Sequence, residues 1–149
     1  MIETSRDDGK KSDMTRSPIL VVAGALGVGT DRWLMHRRPY EKHHGGLWEF
    51  PGGKVEPLEM PVDSLARELS EELGIAIDTA SCRPAGFAET RGEEGGPPIV
   101  ILLYTIGSWE GAPSALEGGR IEWFTAEQVR ALDKPPLDRD LAAQLFEKG

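Results

Sequence analysis

The chain has 149 residues, of which 39% are hydrophobic and 28% charged, a composition that fits one globular domain with a core of its own. Its 17 Lys and Arg face 25 Asp and Glu, for a formal net charge of −8. No basic stripe is visible, which excludes a nucleic-acid polymer as the expected partner, whereas an acidic protein can still act on phosphate esters through cations.

Residues 1–17 are polar and charged, without an apolar period, so a flexible tail is expected ahead of a domain over residues 18–149. The tail has no apolar central stretch of a secretory signal. The longest apolar run, from Ile19, is too short to span a bilayer. A cytoplasmic location without a membrane partner is the expectation. The run Ile19–Leu26 predicts a buried strand, and Trp33–His36 is expected to return beside it as the second strand of a hairpin. Arg37–Gly46 reads as a loop and Leu47–Pro51 as a short strand ending at Gly52-Gly53. Lys54–Pro61 is then expected to be a connecting loop.

Val62, Leu65, Ala66, Leu69 and Leu73 recur at helical spacing, with Asp63 or Ser64 as candidate cap and Gly74 as the exit. Cys82 is the only cysteine; it excludes an internal disulfide and reads as core filler. Gly92–Pro98 is expected to be a hairpin tip. Strands are predicted at Pro98–Ile106 and Ile121–Phe124, a short helix at Thr125–Leu132 and a last helix at Leu137–Phe146. Helices and strands mix without a regular βαβ repeat, so the fold class is α/β with α+β character.

The segment that carries chemistry is Gly53–Ile75. At 100° per residue, Glu68, Glu71 and Glu72 fall within about one third of the helix circumference, beside the apolar stripe. Their mutual repulsion costs roughly 0.2–0.5 kcal/mol per pair. Their place near the helix C-terminus opposes the macrodipole by roughly 0.3–1 kcal/mol each. A bound divalent cation reverses that balance; a solvated acidic face partly offset by Arg67 is the bland alternative.

Gly53, Glu59, Arg67, Glu68, Leu69, Glu71, Glu72, Gly74 and Ile75 fill every specified position of the Nudix box, and on these residues the chain resembles the Nudix hydrolases. It is most similar to their MutT-like branch, the nucleoside triphosphate pyrophosphohydrolases. Weaker similarity lies in Arg37-Arg38, the LWEFPGGK stretch of Leu47–Lys54, a Glu six residues before Trp123 and the late Pro135–Asp138. The resemblance implies a Nudix fold, an α/β/α sandwich around a mixed β-sheet. It implies Mg2+, with Mn2+ as a substitute, held by the Gly52 carbonyl, Glu68, Glu71, Glu72 and Glu117. Glu68 and Glu117 are the implied catalytic carboxylates. Arg38, Phe50, Lys54 and Asp138 are the implied substrate contacts, and Gly53, Glu59, Arg67 and Gly74 structural members of the motif, with Glu59 and Arg67 as a buried pair. Leu58 departs from the pattern, since many MutT-like boxes have glycine there; a changed loop path is expected.

Each residue outside the specified box positions has a plainer reading. Glu117 could be a loop acid, with Glu122 as runner-up for its role; Arg38 a solvated strand end; Lys54 loop surface; Phe50 core; Asp138 a helix cap. His43 and His44 are expected on an exposed loop near the substrate. The implied activity is hydrolysis of a nucleoside or deoxynucleoside triphosphate to monophosphate and pyrophosphate, acting on oxidised nucleotides such as 8-oxo-dGTP or on CTP and dCTP. A hydrolase of a nucleoside-diphosphate compound such as ADP-ribose is the alternative, and a nucleotide-sensing module without turnover a third. Monomer and homodimer both fit.

Overall fold

A computed structural model describes residues 17–27, 29, 31–92 and 95–147. The tail expected over 1–17 lies outside them, apart from residue 17. The strands are β1 (Ile19–Leu26), β2 (Trp33–Arg37), β3 (Trp48–Glu49), β4 (Gly52–Lys54), β5 (Ala76–Ile77), β6 (Cys82–Thr90), β7 (Ile99–Ile106), β8 (Trp109–Glu110) and β9 (Arg120–Phe124). The helices are α1 (Pro61–Leu73), α2 (Ala126–Ala131) and α3 (Pro136–Glu147).

Strand β1 explains the layering. Val22 and Leu26 lie in a core with Leu65, Leu69 and Leu73 of α1. Ala23 and Ala25 lie in a second core with Leu141 and Ala142 of α3 and Val129 of α2. The period-two alternation of a strand thus feeds both faces. Gly24 faces α1, and a Cβ there would stand 2.6 Å from Ile106 Cδ1, so the helix packs against bare backbone. The result is the expected α/β/α sandwich.

The main sheet runs β4-β1-β7-β6, with β1 and β7 parallel and the outer pairs antiparallel. A second sheet is β3-β2-β9, and β5 pairs with β8. The expected hairpin of β1 and β2 does not form. Both edges of β1 are taken, by β4 and β7, so β2 crosses to the other sheet and pairs with β3 and β9. The single strand expected to end at Gly52-Gly53 is two, β3 and β4, and β4 takes in Lys54, which was expected to begin the loop. Strands β6 and β7 pair antiparallel, Thr90 opposite Ile99; residues 93 and 94 of the hairpin tip expected between them lie outside the described residues.

Helix α1 starts one residue before Val62, and neither Asp63 nor Ser64 caps it. Met60 is the N-cap without a side-chain bond, and Pro61 follows at the first turn, where its missing N–H costs nothing. Ser64 is buried instead and donates to Glu59. Gly74 ends the helix as expected, with φ 73° and its N–H on the Ser70 carbonyl. Thr125 caps α2 in a capping box whose partner is Gln128. Lys134 is buried and donates to the carbonyls of Val129, Arg130 and Leu132 at the end of α2. Strand β6 gave no clear sequence signal. Pro84 and Gly86 interrupt its period with a register shift, and Gln144 of α3 holds it by bonding both the N–H and the carbonyl of Phe87. Cys82 is buried in the core beside α1. Among the described residues no helix is long and apolar enough to cross a membrane.

Candidate active site

The acidic cluster forms where β4 runs against α1. Gly52 and Gly53 pair with Ala23 and Val22 of β1. A Cβ on Gly52 would overlap the Val22 carbonyl oxygen, and one on Gly53 would overlap the Glu68 carboxyl. The double glycine is what lets the Glu68 carboxyl lie directly on the β4 backbone. The Gly52 N–H also donates to Glu72 Oε1 at 3.3 Å.

Arg67 organises the approach. Its Nε and Nη2 bind Glu59 at 2.9 and 3.0 Å, Nη2 reaches the Lys54 carbonyl at 3.1 Å, and Nη1 reaches Glu68 at 3.2 Å. This fork ties the loop before the helix to the helix itself. Arg67, Ser64 and the Glu56 N–H hold the Glu59 carboxyl down at about 2. The pair is part-buried rather than buried, with side chains 26% and 30% exposed. Within this loop Leu58 is fully exposed and has φ 71°, the left-handed backbone that glycine adopts freely.

The three helix carboxylates of the box differ in environment. Glu71 is exposed, 3.6 Å from Arg67 Nη1. Burial raises Glu68, opposed by Arg67 and reinforced by Glu71 and Glu117. Glu72 is buried and pushed up to about 7, first by burial and then by the Glu49 and Glu117 charges, against the pull of His36 and the Gly52 N–H. A carboxylate cluster in which each member raises the proton affinity of the next is one a divalent cation would relieve.

Glu117 joins this cluster, as its charge bears on both Glu68 and Glu72. The loop that carries it is laid along the C-terminal end of α1. The Ser114 N–H bonds the Leu73 carbonyl and the Leu116 N–H the Glu72 carbonyl, both at 3.0 Å. The Gly118 carbonyl is held as well, by His36. The runner-up, Glu122, points elsewhere and pairs with Arg120 at 3.0 Å.

Two members of the site had no signal in the sequence. His36 is buried on β2; its Nδ1 stands 3.4 Å from both Glu49 Oε2 and Glu72 Oε2, and its Nε2 lies 3.0 Å from the Gly118 carbonyl. Glu49 is opposite His36 in the β2–β3 register. Burial pulls the His36 pKa down, but Glu49, the Gly118 carbonyl and Glu72 outweigh it, and the net shift is upward. The ligand atoms of His36, Glu49 and Glu72 lie within 4.8 Å of one another. Nε2 must carry a hydrogen to meet a carbonyl, and Nδ1 faces the Glu49 and Glu72 carboxyls. Among the described residues this is the one group of three whose ligand atoms come so close; the set implied by the resemblance, Glu68, Glu71, Glu72, Glu117 and the Gly52 carbonyl, offers only oxygens, as a hard cation prefers.

Beside the cluster lies a cleft of about 490 Å³, lined by Arg38, Glu49, Lys54, His43, Pro135 and Asp138 among others. Arg38 donates to both oxygens of Glu49, at 3.1 and 3.3 Å, and to the His43 carbonyl at 2.7 Å. Lys54 is exposed at the cleft. The Phe50 ring does not line it: it is 3% exposed, in the core with Met35 and Leu103. The Phe50 N–H instead donates to Asp138 Oδ2 at 3.0 Å. Asp138 is therefore not the helix cap; it lies inside α3, 6% exposed. Burial and the Glu49 charge raise its carboxyl to about 7, against the Phe50 N–H, Arg38 and Lys134.

Residues 18–145 match the NUDIX domain. The chain is 34% identical over 125 residues to the 8-oxo-dGTP diphosphatase of Escherichia coli K12, covering 84% of this chain and 94% of that protein. It is 33% identical over 120 residues to the CTP pyrophosphohydrolase of the same organism, covering 80% and 86%. The solution structure of the E. coli ORF135 protein superposes with a TM-score of 0.74 at 30% identity, covering 86% of this chain and 88% of that one.

Proposed function

The chain belongs to the Nudix family and is a Nudix hydrolase, and we propose that it cleaves a nucleoside triphosphate to the monophosphate and pyrophosphate with magnesium. The observation that carries this reading is the meeting of two unlike surfaces. The Glu68, Glu71, Glu72 and Glu117 cluster stands next to a cleft with Arg38 and Lys54 on its wall. A triphosphate needs both: cations for its charge and a pocket for its nucleoside.

The residues present fit a hard cation, which Glu68, Glu71, Glu72, Glu117 and the Gly52 carbonyl would hold. When bound, magnesium, or manganese in its place, neutralises phosphate charge and lowers the pKa of water. The chain's own groups do the rest. Glu117, with Glu68 beside it, accepts the proton of the attacking water. Arg38 and Lys54 balance phosphate charge, and Asp138, on the cleft lining, reads the base edge. A carboxyl raised to about 7 is present in both forms at neutral pH, so it can donate to a base carbonyl or accept from a base amino group. The relatives' names make 8-oxo-dGTP and CTP the first substrates to test. The reading has the enzyme working on free nucleotides in the cytoplasm, as monomer or homodimer.

The test is pyrophosphate release from dCTP, CTP, dGTP, 8-oxo-dGTP and dATP, with ADP-ribose as the competing substrate, in magnesium and in chelator. The expected result is magnesium-dependent pyrophosphate from at least one triphosphate. Release of AMP from ADP-ribose with no pyrophosphate from any triphosphate overturns the proposal.

A further inference from the structure

The Glu117 loop reaches the cluster from a different part of the chain than the box, so something must hold it in register. We propose that His36 is a positioning residue, which fixes the Glu117 loop over the box carboxylates by bonding the Gly118 carbonyl from one side of its ring and Glu72 and Glu49 from the other. This inference rests on the reading of Glu117 as a catalytic carboxylate, and goes beyond it by naming what places that group.

Three observations converge on the imidazole. Its Nε2 lies 3.0 Å from the carbonyl of Gly118, the residue next to Glu117. Its Nδ1 lies 3.4 Å from Glu72 on α1 and 3.4 Å from Glu49 on β3. Finally, Gly119 has φ 78°, and a Cβ there would stand 2.8 Å from His36 Nε2 and would overlap the Arg37 carbonyl oxygen. The loop therefore approaches β2 as closely as backbone can, in a conformation that glycine alone adopts without strain. The ring is buried in this contact. One rigid, two-ended side chain thus spans the gap between the helix and the loop. The chain of bonds continues from Glu49 to Arg38 at 3.1 Å, so the same imidazole also ties the loop to the cleft wall.

The ring's two ends are separable by substitution. Asn places its amide near Nδ1 and leaves Gly118 unbonded; Gln reaches the place of Nε2 and can still donate to that carbonyl. The experiment uses the full chain. Amide exchange of Leu116, whose N–H bonds the Glu72 carbonyl, is followed by NMR without nucleotide. Turnover is followed with magnesium and whichever of 8-oxo-dGTP and CTP the wild type hydrolyses faster. His36→Asn is expected to speed Leu116 exchange while leaving amides in the middle of α1 unchanged. It should lower kcat by about 10- to 100-fold, as for other groups that orient metal-site carboxylates, with KM moving less than about threefold, because the loop's contribution is to the chemical step. His36→Gln is expected to recover most of that loss. Gly119→Ala, which pushes the loop off from the other side, should reproduce the Asn phenotype even where His36→Asn folds poorly. In a Glu117→Gln background the His36→Asn loss should vanish. Equal losses in the Asn and Gln variants with unchanged Leu116 exchange overturn the proposal, as does a rise in KM at constant kcat. If Glu117→Gln alone leaves turnover untouched, the assignment of Glu117 fails, while Leu116 exchange still decides the role of His36.

Discussion

Replacing Asp138 with Asn separates the energetics of the cleft from its selectivity. Asp138 is 6% exposed, and its carboxyl is raised from 3.8 to about 7, mainly by burial. Between these values the folded chain keeps a proton that the unfolded chain has released. The stability tied to this group is therefore complete below 3.8, declines as pH rises, and is gone above about 7. At about 1.36 kcal/mol per tenfold change in proton affinity, the full loss is about 4 kcal/mol. Asn imitates the neutral acid, keeps an oxygen for the Phe50 N–H and does not titrate. Asp138→Asn is thus expected to be more stable than wild type by about 4 kcal/mol at pH 8 and by a smaller margin at pH 5. Urea unfolding at both pH values, in chelator, gives the two differences directly. Glu72 also titrates near 7, but it is common to both proteins and cancels. A variant whose advantage is the same at pH 5 and pH 8 would refute the buried, proton-holding carboxyl. Selectivity is read from kcat/KM for dCTP, dGTP, 8-oxo-dGTP and dATP. Their order should change by about 5- to 150-fold, the worth of one base-edge contact; a common factor for all four would remove Asp138 from base reading.

Glu72→Gln is expected to lower kcat by at least about 100-fold while raising the melting temperature of the metal-free protein at pH 8, since it removes a buried charge; wild-type turnover at saturating magnesium would end the metal assignment. Glu117→Gln should lower kcat by roughly 10²–10⁴-fold with little change in KM, and a loss below threefold returns Glu117 to a plain loop acid. The Glu59 carboxyl is held at about 2 against an ordinary 4.5, so its contribution to stability is full above 4.5 and is lost as pH falls through about 2. Glu59→Gln should accordingly melt lower than wild type at pH 7, with the gap closing in acid; a gap that is constant down to pH 2 would contradict the Arg67 pairing.

The box was legible because its charges and apolar stripe share one helix, where spacing alone fixes the faces. Its neighbours were not. His36 and Glu49 meet Glu72 only through the register of β2 and β3 and the packing of α1, and no local pattern in the sequence encodes those. Asp138 follows two prolines and suits a cap by type, but the depth at which α3 packs sends its carboxyl to the Phe50 N–H instead. The β1–β2 hairpin failed for a related reason: a turn signal says nothing about whether a strand's edge is already occupied. Strand β6 stayed hidden because a bulge at Pro84–Gly86 breaks the alternation that would have marked it.

The parallel pairing of β1 with β7 has a consequence for how the chain reaches this fold. Ile19 stands opposite Ile99, so the central pair of the main sheet closes a loop of some 80 residues, and its entropy must be lost before the strands reward it. The β6–β7 hairpin, by contrast, closes locally, with Thr90 opposite Ile99. Strand β7 therefore acquires its first partner early and offers its other edge as a template. Docking of β1 completes both cores at once. That long-range step is expected to limit the folding rate, as topology does in folds dominated by non-local pairing.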